Sequence, residues 1–150
     1  MKIPSRFLFV FCCVCLFLFE FASLLLSGQT LPKLTIKDAA GFEGDKGTTP
    51  FVFSVILTPA STQIVTVRWG TNNRTATAPS GDFAMGSGGT LTFNPGESSK
   101  TITVLVNGDL QPEPDEEFSV NLSEPVNATI RDMSGIGTIK NDDVQTKKKI

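Results

Sequence analysis

Residues 91–106 read LTFNPGESSKTITVLV, two runs of alternating apolar and polar residues on either side of an Asn-Pro-Gly turn. In the second run, Ile102, Val104 and Val106 occupy every other position. Successive side chains of a strand point to opposite faces of the sheet, so this period of two predicts strands with one buried face. Pro95 and Gly96 interrupt the pattern, because proline lacks an N–H and glycine favours turns. The stretch therefore indicates β-structure.

The same period recurs along most of the chain. Further runs of this kind are residues 51–57, 65–69, 118–122 and 136–140. Short clusters of glycine, proline, asparagine and serine separate the runs, and no stretch after the first thirty residues has ten residues of helical periodicity. About seven short strands with regular turns predict an antiparallel β-sandwich of two sheets. Trp69 and the phenylalanines are expected to be the largest pieces of its core.

An acidic loop, residues 107–118 (NGDLQPEPDEEF), carries five carboxylates between two predicted strands. Pro112 and Pro114 exclude a helix there. Clustered acids repel one another unless a cation lies among them, and Ca²⁺, which takes about 6–8 oxygen ligands, is the natural candidate. A second polar group, residues 141–143 (Asn-Asp-Asp), follows the last predicted strand.

The two acidic groups meet only if strands 101–106 and 136–140 run in the same direction. Under that topology, the acids of both groups lie at one end of the sandwich and could share a cation. The alternative is that the acidic loop is a solvated segment that keeps the sheet edges soluble, as runs of like charge usually are.

Catalytic equipment is missing from the sequence. It contains no histidine and no tyrosine, and its three cysteines are Cys12, Cys13 and Cys15. The chain beyond the leader therefore lacks the commonest general base, any disulfide framework and any cysteine-based zinc site. No pair of nucleophile and base can be assembled, so we expect no catalytic residues and no enzymatic activity.

The first 28 residues combine Lys2 and Arg6 with an uncharged apolar run over residues 7–19. This pattern is typical of a secretory signal peptide, with cleavage near Gly28, and predicts a secreted or extracellular protein. The alternative is an uncleaved membrane anchor through residues 7–26, which nearly reaches the roughly 20 residues of a span. Glu20 disfavours the anchor, because an acid within a span is costly.

The charge balance is mild. Removing Lys2, Arg6 and Glu20 from the 13 basic and 15 acidic residues leaves 11 and 14, a net charge of −3. This charge, without a basic aromatic surface pattern, predicts no nucleic-acid partner. Residues 144–150 form a basic C-terminal tail with three lysines, fewer than the roughly 4–8 basic residues of a typical membrane-binding segment.

Four strings of sequence carry a family resemblance. They are FEGDKGTTPFVFSVIL (42–57), GTLTFNPGESSKTITVLVNGD (89–109), EPDEEFSVNLSEP (113–125) and GTIKNDD (137–143). In this order and spacing they make residues 31–143 resemble a Calx-beta domain. The resemblance implies a seven-stranded immunoglobulin-like sandwich. In calcium-binding members of the family, acidic loops at one end of the sandwich hold the ion.

By position, the resemblance implies six calcium ligands at that end. They are Glu43, Asp109, Glu113, Glu116, Asp142 and Asp143. Strong calcium-binding members carry acids where this chain has Asn73, Gly108 and Asn141, and Arg74 adds a positive charge nearby. Each lost charge weakens a site, so we expect a weak Ca²⁺ site with a Kd on the order of 10⁻⁴–10⁻³ M, as in extracellular modules.

Together, these observations predict a secreted, non-enzymatic Calx-beta module that binds Ca²⁺ weakly and serves adhesion or interaction with the cell surface or matrix. The alternative function is that of a calcium-independent structural or adhesion spacer with the same fold. The expected partner is a protein or matrix component, and a membrane association is expected only if the leader is uncleaved.

Overall fold

The computed structural model describes residues 30–84 and 88–143. The predicted leader (1–28) and the basic tail (144–150) lie outside the described residues. Within the described ranges the strands are β1 (Lys33–Ile36), β2 (Ala39–Phe42), β3 (Gly47–Thr58), β4 (Val65–Asn73), β5 (Gly88–Phe93), β6 (Ser99–Gly108), β7 (Glu116–Val126), β8 (Thr129–Asp132) and β9 (Ser134–Lys140). None of these residues forms a helix long and apolar enough to cross a membrane.

The strands form two sheets, ordered β6-β3-β1-β8 and β2-β9-β7-β4-β5. Alternate residues of each long strand face a single core, as the period of two predicts. In β3, for example, Phe51, Phe53, Val55 and Leu57 are buried, and all four belong to the same hydrophobic cluster. The predicted all-β, two-sheet sandwich is therefore confirmed.

Phe118 lies at the centre of the aromatic part of the core. Its ring centroid is 6.0 Å from that of Phe51, 5.8 Å from that of Phe53 and 4.7 Å from that of Phe83. Phe83 lies outside the long strands and is tied to β6 by an isolated bridge to Val106. The core thus holds the loop before β5 as well as the strands.

The strand count differs from the predicted seven, because nine strands form among the described residues. The predicted runs begin at residue 51 and do not include β1 and β2, which join different sheets. Asp38 lies between these two strands, where its Oδ1 accepts a hydrogen bond from the backbone N–H of Ile136 at 2.8 Å. β1, β2 and β8 have four residues each, too few for an alternation to be recognised in the sequence.

The prediction of a wholly antiparallel sandwich is wrong for two pairs. β1 pairs in parallel with β8, and β2 pairs in parallel with β9. The chain passes from β1 to β2, and so from one sheet to the other, without reversing its direction. Both strands therefore lie beside a late strand that runs the same way, and the intervening chain supplies the long connection that parallel pairing needs.

Trp69, expected among the largest core pieces, is only half-buried. It lies opposite Gly89 in the pairing of β4 with β5. A Cβ built on Gly89 would be 3.3 Å from Trp69 Nε1, so the indole covers this glycine at the edge of the sheet. The tryptophan therefore packs on the margin of the core rather than inside it.

Five strand ends meet at one end of the sandwich. β2 and β9 run in parallel and end at Phe42 and Lys140, while β6 ends at Gly108, opposite the start of β3. β7 begins there with Glu116, because it runs antiparallel to β9. The segments next to these ends contain all six residues predicted as ligands. The topology thus places both acidic groups at the same end.

Gly108 marks the closest approach at this end. A Cβ at this position would overlap the carbonyl oxygen of Gly44 and lie 2.8 Å from that of Glu43. Only glycine fits beside this backbone, so a larger side chain at position 108 is excluded by packing. The sequence lacks an acid here for a steric reason.

Candidate metal centre

A polar cavity of about 250 Å³ opens at the end of the sandwich where these strand ends meet. Four segments line it: the residue after β2, the loop before β5, the end of β6, and the β6–β7 loop. Its lining residues are Glu43, Ser80, Gly81, Asp82, Asn107, Asp109, Gln111 and Glu113. We call this cavity the acidic pocket.

Glu43 is the most unusual residue of the acidic pocket. It is only 6% exposed, and no described residue donates a hydrogen bond to its carboxylate or pairs with its charge. Its backbone is fixed on both sides: the N–H donates to Lys140 O at 3.3 Å, and the carbonyl accepts from Thr49 Oγ1 at 2.6 Å. The fold therefore places a buried carboxylate at the pocket without a partner among the described residues.

The surroundings of Glu43 oppose its ionisation. Burial, followed by the charges of Asp109, Glu113, Asp143 and Asp142, raises the pKa of Glu43 from 4.5 to about 7. Burial disfavours the charged form, and each like charge nearby disfavours it further. Because acids from both the β6–β7 loop and the 141–143 segment act on it, Glu43 lies between the two acidic groups.

A second cluster of carboxylates joins the pocket to the start of β7. Oxygen atoms of Asp82, Glu113 and Glu116 all lie within 4.8 Å of one another. Burial, then the charge of Asp82, a hydrogen bond with Asp82 and the charge of Glu113 raise the pKa of Glu116. Three acids at this spacing repel one another strongly unless a proton or a cation is shared among them.

Asp82 joins the site only through the fold. It is a single acid in the loop between β4 and β5, with no acidic neighbour in the sequence to draw attention to it. Its Oδ2 accepts hydrogen bonds from Thr77 N and Ser80 Oγ, each at 2.7 Å, which fix the carboxylate in place. The only signal in the sequence is the Ser-Gly-Asp turn directly before the apolar Phe83.

The 141–143 segment contributes carboxylates in two different ways. Asp142 Oδ1 accepts a hydrogen bond from Gly44 N at 3.1 Å, which joins the segment to the residues that follow β2. Asp143 Oδ2 is buried and has no hydrogen-bond partner among the described residues. Burial, then the charges of Asp142, Asp45 and Asp109, raise the pKa of Asp143.

Asn141 is occupied within its own segment. Its Nδ2 donates to Asp143 O at 2.9 Å, and its Oδ1 accepts from Asp143 N at 3.3 Å. Its backbone N–H donates to Asp115 Oδ1 at 3.3 Å, which ties the segment to the β6–β7 loop. Asn141 thus shapes the terminal turn.

The β6–β7 loop is shaped by Gln111. Its backbone N–H donates to Asp109 Oδ1 at 2.6 Å, and its Nε2 donates to Glu113 Oε1 at 2.7 Å. One glutamine therefore holds two of the six predicted ligands on the same side of the loop. The loop carries its carboxylates in a fixed arrangement.

Basic side chains do not neutralise the pocket. The ion pairs of the described residues are Arg68–Glu124, Arg74–Glu117 and Lys100–Glu97. Arg74, which the sequence suggested as a competing positive charge, lies 3.3 Å from Glu117 and is engaged there. Asn73 accepts a hydrogen bond from Ala78 N at 3.1 Å and holds its own loop.

Comparison with known proteins places this chain in a family. A family model for the Calx-beta domain matches residues 38–144. A search of curated proteins found no match. The apo-form Calx CBD1 domain has 24% identity and a TM-score of 0.67 over 76% of this chain and 100% of its own. The Calx CBD2 domain has 21% identity and a TM-score of 0.60 over 73% of this chain and 86% of its own.

A larger structure matches over part of its length. The calcium binding domain CBD12 of CALX1.1 has 24% identity and a TM-score of 0.65 over 73% of this chain. This chain spans 46% of that structure, which is less than half of its length. At such identities the likeness of the structures shows the fold, while the family model, which matches most of the chain, shows the family. The chain belongs to the Calx-beta domain family.

Proposed function

We propose that this domain binds Ca²⁺ weakly at the acidic pocket. The observation that carries the proposal is Glu43, a carboxylate that is nine-tenths buried, faces the pocket and has no partner among the described residues. A buried charge without a partner is costly, and a cation at the pocket would supply the missing one. The buried, unpartnered Oδ2 of Asp143 supports the same conclusion.

The donor set selects the kind of cation. The residues that line the pocket offer carboxylate, amide, hydroxyl and backbone oxygens, and such ligands suit hard cations. Mg²⁺ requires near-ideal octahedral geometry, whereas Ca²⁺ accepts about 6–8 oxygens in flexible arrangements. The several loops that meet here suit Ca²⁺ better than Mg²⁺.

Four carboxylates that line the pocket would hold the ion: Glu43, Asp82, Asp109 and Glu113. Three more lie next to them, Glu116 beside Asp82 and Glu113, and Asp142 and Asp143 near Glu43. Bound Ca²⁺ would supply positive charge that offsets the repulsion among these carboxylates. The residues themselves position the loops: Gln111 fixes Asp109 and Glu113, while Gly44 fixes Asp142.

The effect of binding would be to join segments from both sheets at one end. Glu43 follows β2, Asp109 and Glu113 follow β6, and Asp142 follows β9. An ion among them would order this end as a single surface. We infer that this surface serves adhesion or contact with a cell-surface or matrix partner, without enzymatic activity.

Secretion is part of the proposal and is supported by the leader sequence. Expression in a secretory host followed by N-terminal sequencing separates the two interpretations of residues 1–28. A product that begins near Gln29 indicates a signal peptide, whereas an intact N-terminus in the membrane fraction indicates an anchor through residues 7–26.

Thermal unfolding tests calcium binding directly. A ligand that binds only the folded state stabilises it by RT ln(1 + [L]/Kd), which is about 1.4 kcal/mol at roughly tenfold excess over Kd. We expect millimolar Ca²⁺ to raise the Tm relative to chelator, and Glu43→Gln to remove most of that rise. Glu124→Gln, on an exposed side chain paired with Arg68, is the matched control and should keep it.

The calcium-independent spacer remains the competing function, and one observation favours it. Asp82, Asp109 and Glu113 already accept hydrogen bonds within their own loops, which partly satisfies them without an ion. An unchanged Tm at millimolar Ca²⁺ would support the spacer and refute the binding proposal.

A further inference from the structure

Three Asn-X-Ser/Thr triplets have no role in the proposed calcium site. They are residues 73–75 (Asn-Arg-Thr), 121–123 (Asn-Leu-Ser) and 127–129 (Asn-Ala-Thr). Such a triplet, with any residue except proline in the middle, is the acceptor for an N-linked glycan when it lies on the surface of a secreted protein. Matches to so short a pattern also arise by chance, so the surroundings of each asparagine decide which one could carry a glycan.

Asn127 lies in the turn between β7 and β8, at the end of the sandwich away from the acidic pocket. Its side chain is exposed, and its φ of 59° lies in the left-handed region, which asparagine adopts more readily than most residues. Its Nδ2 donates a hydrogen bond to Ile64 O at 2.8 Å. A side-chain amide nitrogen has two hydrogens, and the second is not used in a bond to any described residue. The nitrogen that would accept a glycan is therefore accessible.

The rest of this triplet holds the turn in place. Ala128 is only 6% exposed and belongs to the hydrophobic cluster, while Asn127 and Thr129 on either side of it are exposed. Thr129 begins β8, where its backbone N–H donates to Pro32 O at 2.9 Å. The fold thus uses the apolar middle residue and the backbone, and leaves both polar side chains of the triplet on the surface.

Asn121 is a poor acceptor. It lies within β7, between β4 and β9, opposite Gly70 and Ser134. Its Oδ1 is buried and has no hydrogen-bond partner among the described residues. A glycan is bulky and belongs on the surface, so the half-buried amide of a central strand has no room for one. We expect this triplet to be unmodified in the folded protein.

Asn73 is exposed, but it lies near the acidic end. Its Oδ1 accepts from Ala78 N at 3.1 Å, and Thr75 Oγ1 accepts from Glu117 N at 2.7 Å, so both polar side chains of the triplet hold their loop against the start of β7. Glu116, the first residue of β7, belongs to the carboxylate cluster. A glycan at Asn73 would crowd the proposed calcium site, whereas one at Asn127 would leave it open.

Two exposed apolar side chains adjoin Asn127. Val126 precedes it and is 53% exposed, and Ile64, whose carbonyl accepts the Asn127 bond, is 52% exposed. Val126 lies opposite Thr66, next to the segment that leads from Ile64 into β4. Exposed apolar side chains that lie together favour association with other surfaces. A bulky and solubilising group on Asn127 would cover both of them.

We propose that Asn127 carries an N-linked glycan in the secreted protein and that this glycan covers Ile64 and Val126. The inference rests on the proposed secretion. The co-substrate is an oligosaccharide joined to a lipid diphosphate, and a transferase of the secretory pathway supplies the base. Nδ2 bonds to C1 of the terminal sugar and gives one proton to that base, while the bond from C1 to the diphosphate oxygen breaks and the lipid diphosphate leaves with the electron pair. One N–H remains on the amide, the number that the bond to Ile64 O requires.

Expression of the full chain in a eukaryotic secretory host tests the site. We expect the secreted protein to lose mass on treatment with peptide N-glycosidase, which removes N-linked glycans and converts the asparagine that carried them to aspartate. Mass spectrometry of the peptide that contains residue 127 should then find this conversion, and the peptide that contains Asn121 should not show it. A secreted protein in which Asn127 is unmodified would overturn the proposal.

Substitutions of Thr129 separate the glycan from the turn. Thr129→Ala destroys the triplet but keeps Asn127 and the backbone bond to Pro32, whereas Thr129→Ser keeps the triplet. We expect the first variant to lose the glycan at Asn127 and the second to retain it. Ser123→Ala makes the matching change in the 121–123 triplet and should leave the glycan mass unchanged. A glycan that persists at Asn127 in Thr129→Ala would contradict the assignment of this triplet.

Light scattering tests the covering role. At equal concentration, the Thr129→Ala protein should associate more than the glycosylated parent, and adding Ile64→Ser with Val126→Ser should remove the excess. Equal scattering of Thr129→Ala and the parent would refute the covering of the apolar pair.

The location of the product separates this inference from the proposed secretion. Protein in the medium without a glycan at Asn127 refutes the inference and leaves secretion intact. Protein that stays in the cytosol with residues 1–28 attached refutes both. The rise of the Tm with Ca²⁺ is measured independently, on the glycosylated parent and on Thr129→Ala, and should be the same in both because Asn127 lies away from the pocket.

Discussion

Neutralising Glu43 should stabilise the calcium-free domain at high pH. The pKa of Glu43 rises from 4.5 to about 7 on folding, first because of burial and then because of neighbouring acids. At about 1.36 kcal/mol per pKa unit, its ionisation costs the folded state about 3 kcal/mol. The cost is absent below pH 4.5, where the group is protonated in both states, and fully present above about pH 7. Stability should therefore fall as the pH rises between these values.

Glu43→Gln removes the charge while keeping the size of the side chain. In calcium-depleted buffer at pH 8 we expect this variant to be more stable than the parent by up to about 3 kcal/mol, and at pH 4.5 the two should be nearly equal. Urea unfolding followed by the fluorescence of Trp69, the single tryptophan, measures both free energies. Glu124→Gln, on an exposed residue, should follow the parent at every pH.

Parallel pH profiles for the parent and Glu43→Gln would refute the reasoning, because Glu43 would then titrate normally. A lower free energy of unfolding for Glu43→Gln than for the parent at pH 8 would refute it as well, since the carboxylate would then be stabilising. Added Ca²⁺ should narrow the difference between the two proteins, because only the parent gains the ion's full stabilisation.

Three further predictions concern the pocket and the core. Asp82→Asn should weaken Ca²⁺ binding by about tenfold in isothermal titration, since the charge count sets affinity, while Asp132→Asn on β8 should not. Gly108→Ala should destabilise the domain by about 2–3 kcal/mol in urea unfolding, because its Cβ would overlap Gly44, whereas Gly41→Ala, with its nearest atom at 3.4 Å, should be nearly neutral. Phe118→Ala should cost about 3–5 kcal/mol, against less than about 0.5 kcal/mol for the exposed Val52→Ala. If a test variant and its control had equal effects, the role assigned to the test residue would be contradicted.

The long strands could be predicted because their pattern depends on local physics. In β3 and β6 one face is buried and the other is solvated, so apolar and polar residues alternate in the sequence. The division between β1 and β2 could not be predicted, because it depends on which sheet each strand joins. That choice is fixed by distant partners, such as the bond from Ile136 N to Asp38.

The candidate site likewise combines residues that the local sequence indicates with residues that only the fold brings together. The acids of residues 107–118 and 141–143 attract attention because they are clustered in the sequence. Asp82 does not, because only the fold brings it to Glu113 and Glu116. The importance of Glu43 was likewise visible only through the family resemblance, since its burial and its lack of a partner are properties of the tertiary structure.

The parallel pairing of β2 with β9 has a mechanical consequence. The chain enters the domain through β1 and β2 and leaves it at the end of β9, so tension along the chain pulls the two paired strands in opposite directions along their length. The hydrogen bonds between residues 39–42 and 137–140 are then loaded together rather than opened one after another. We expect a high unfolding force in single-molecule stretching from the two ends, and a low force would contradict this load path. The pairing of β2 with β9 is therefore expected to resist tension applied at the two ends of the domain.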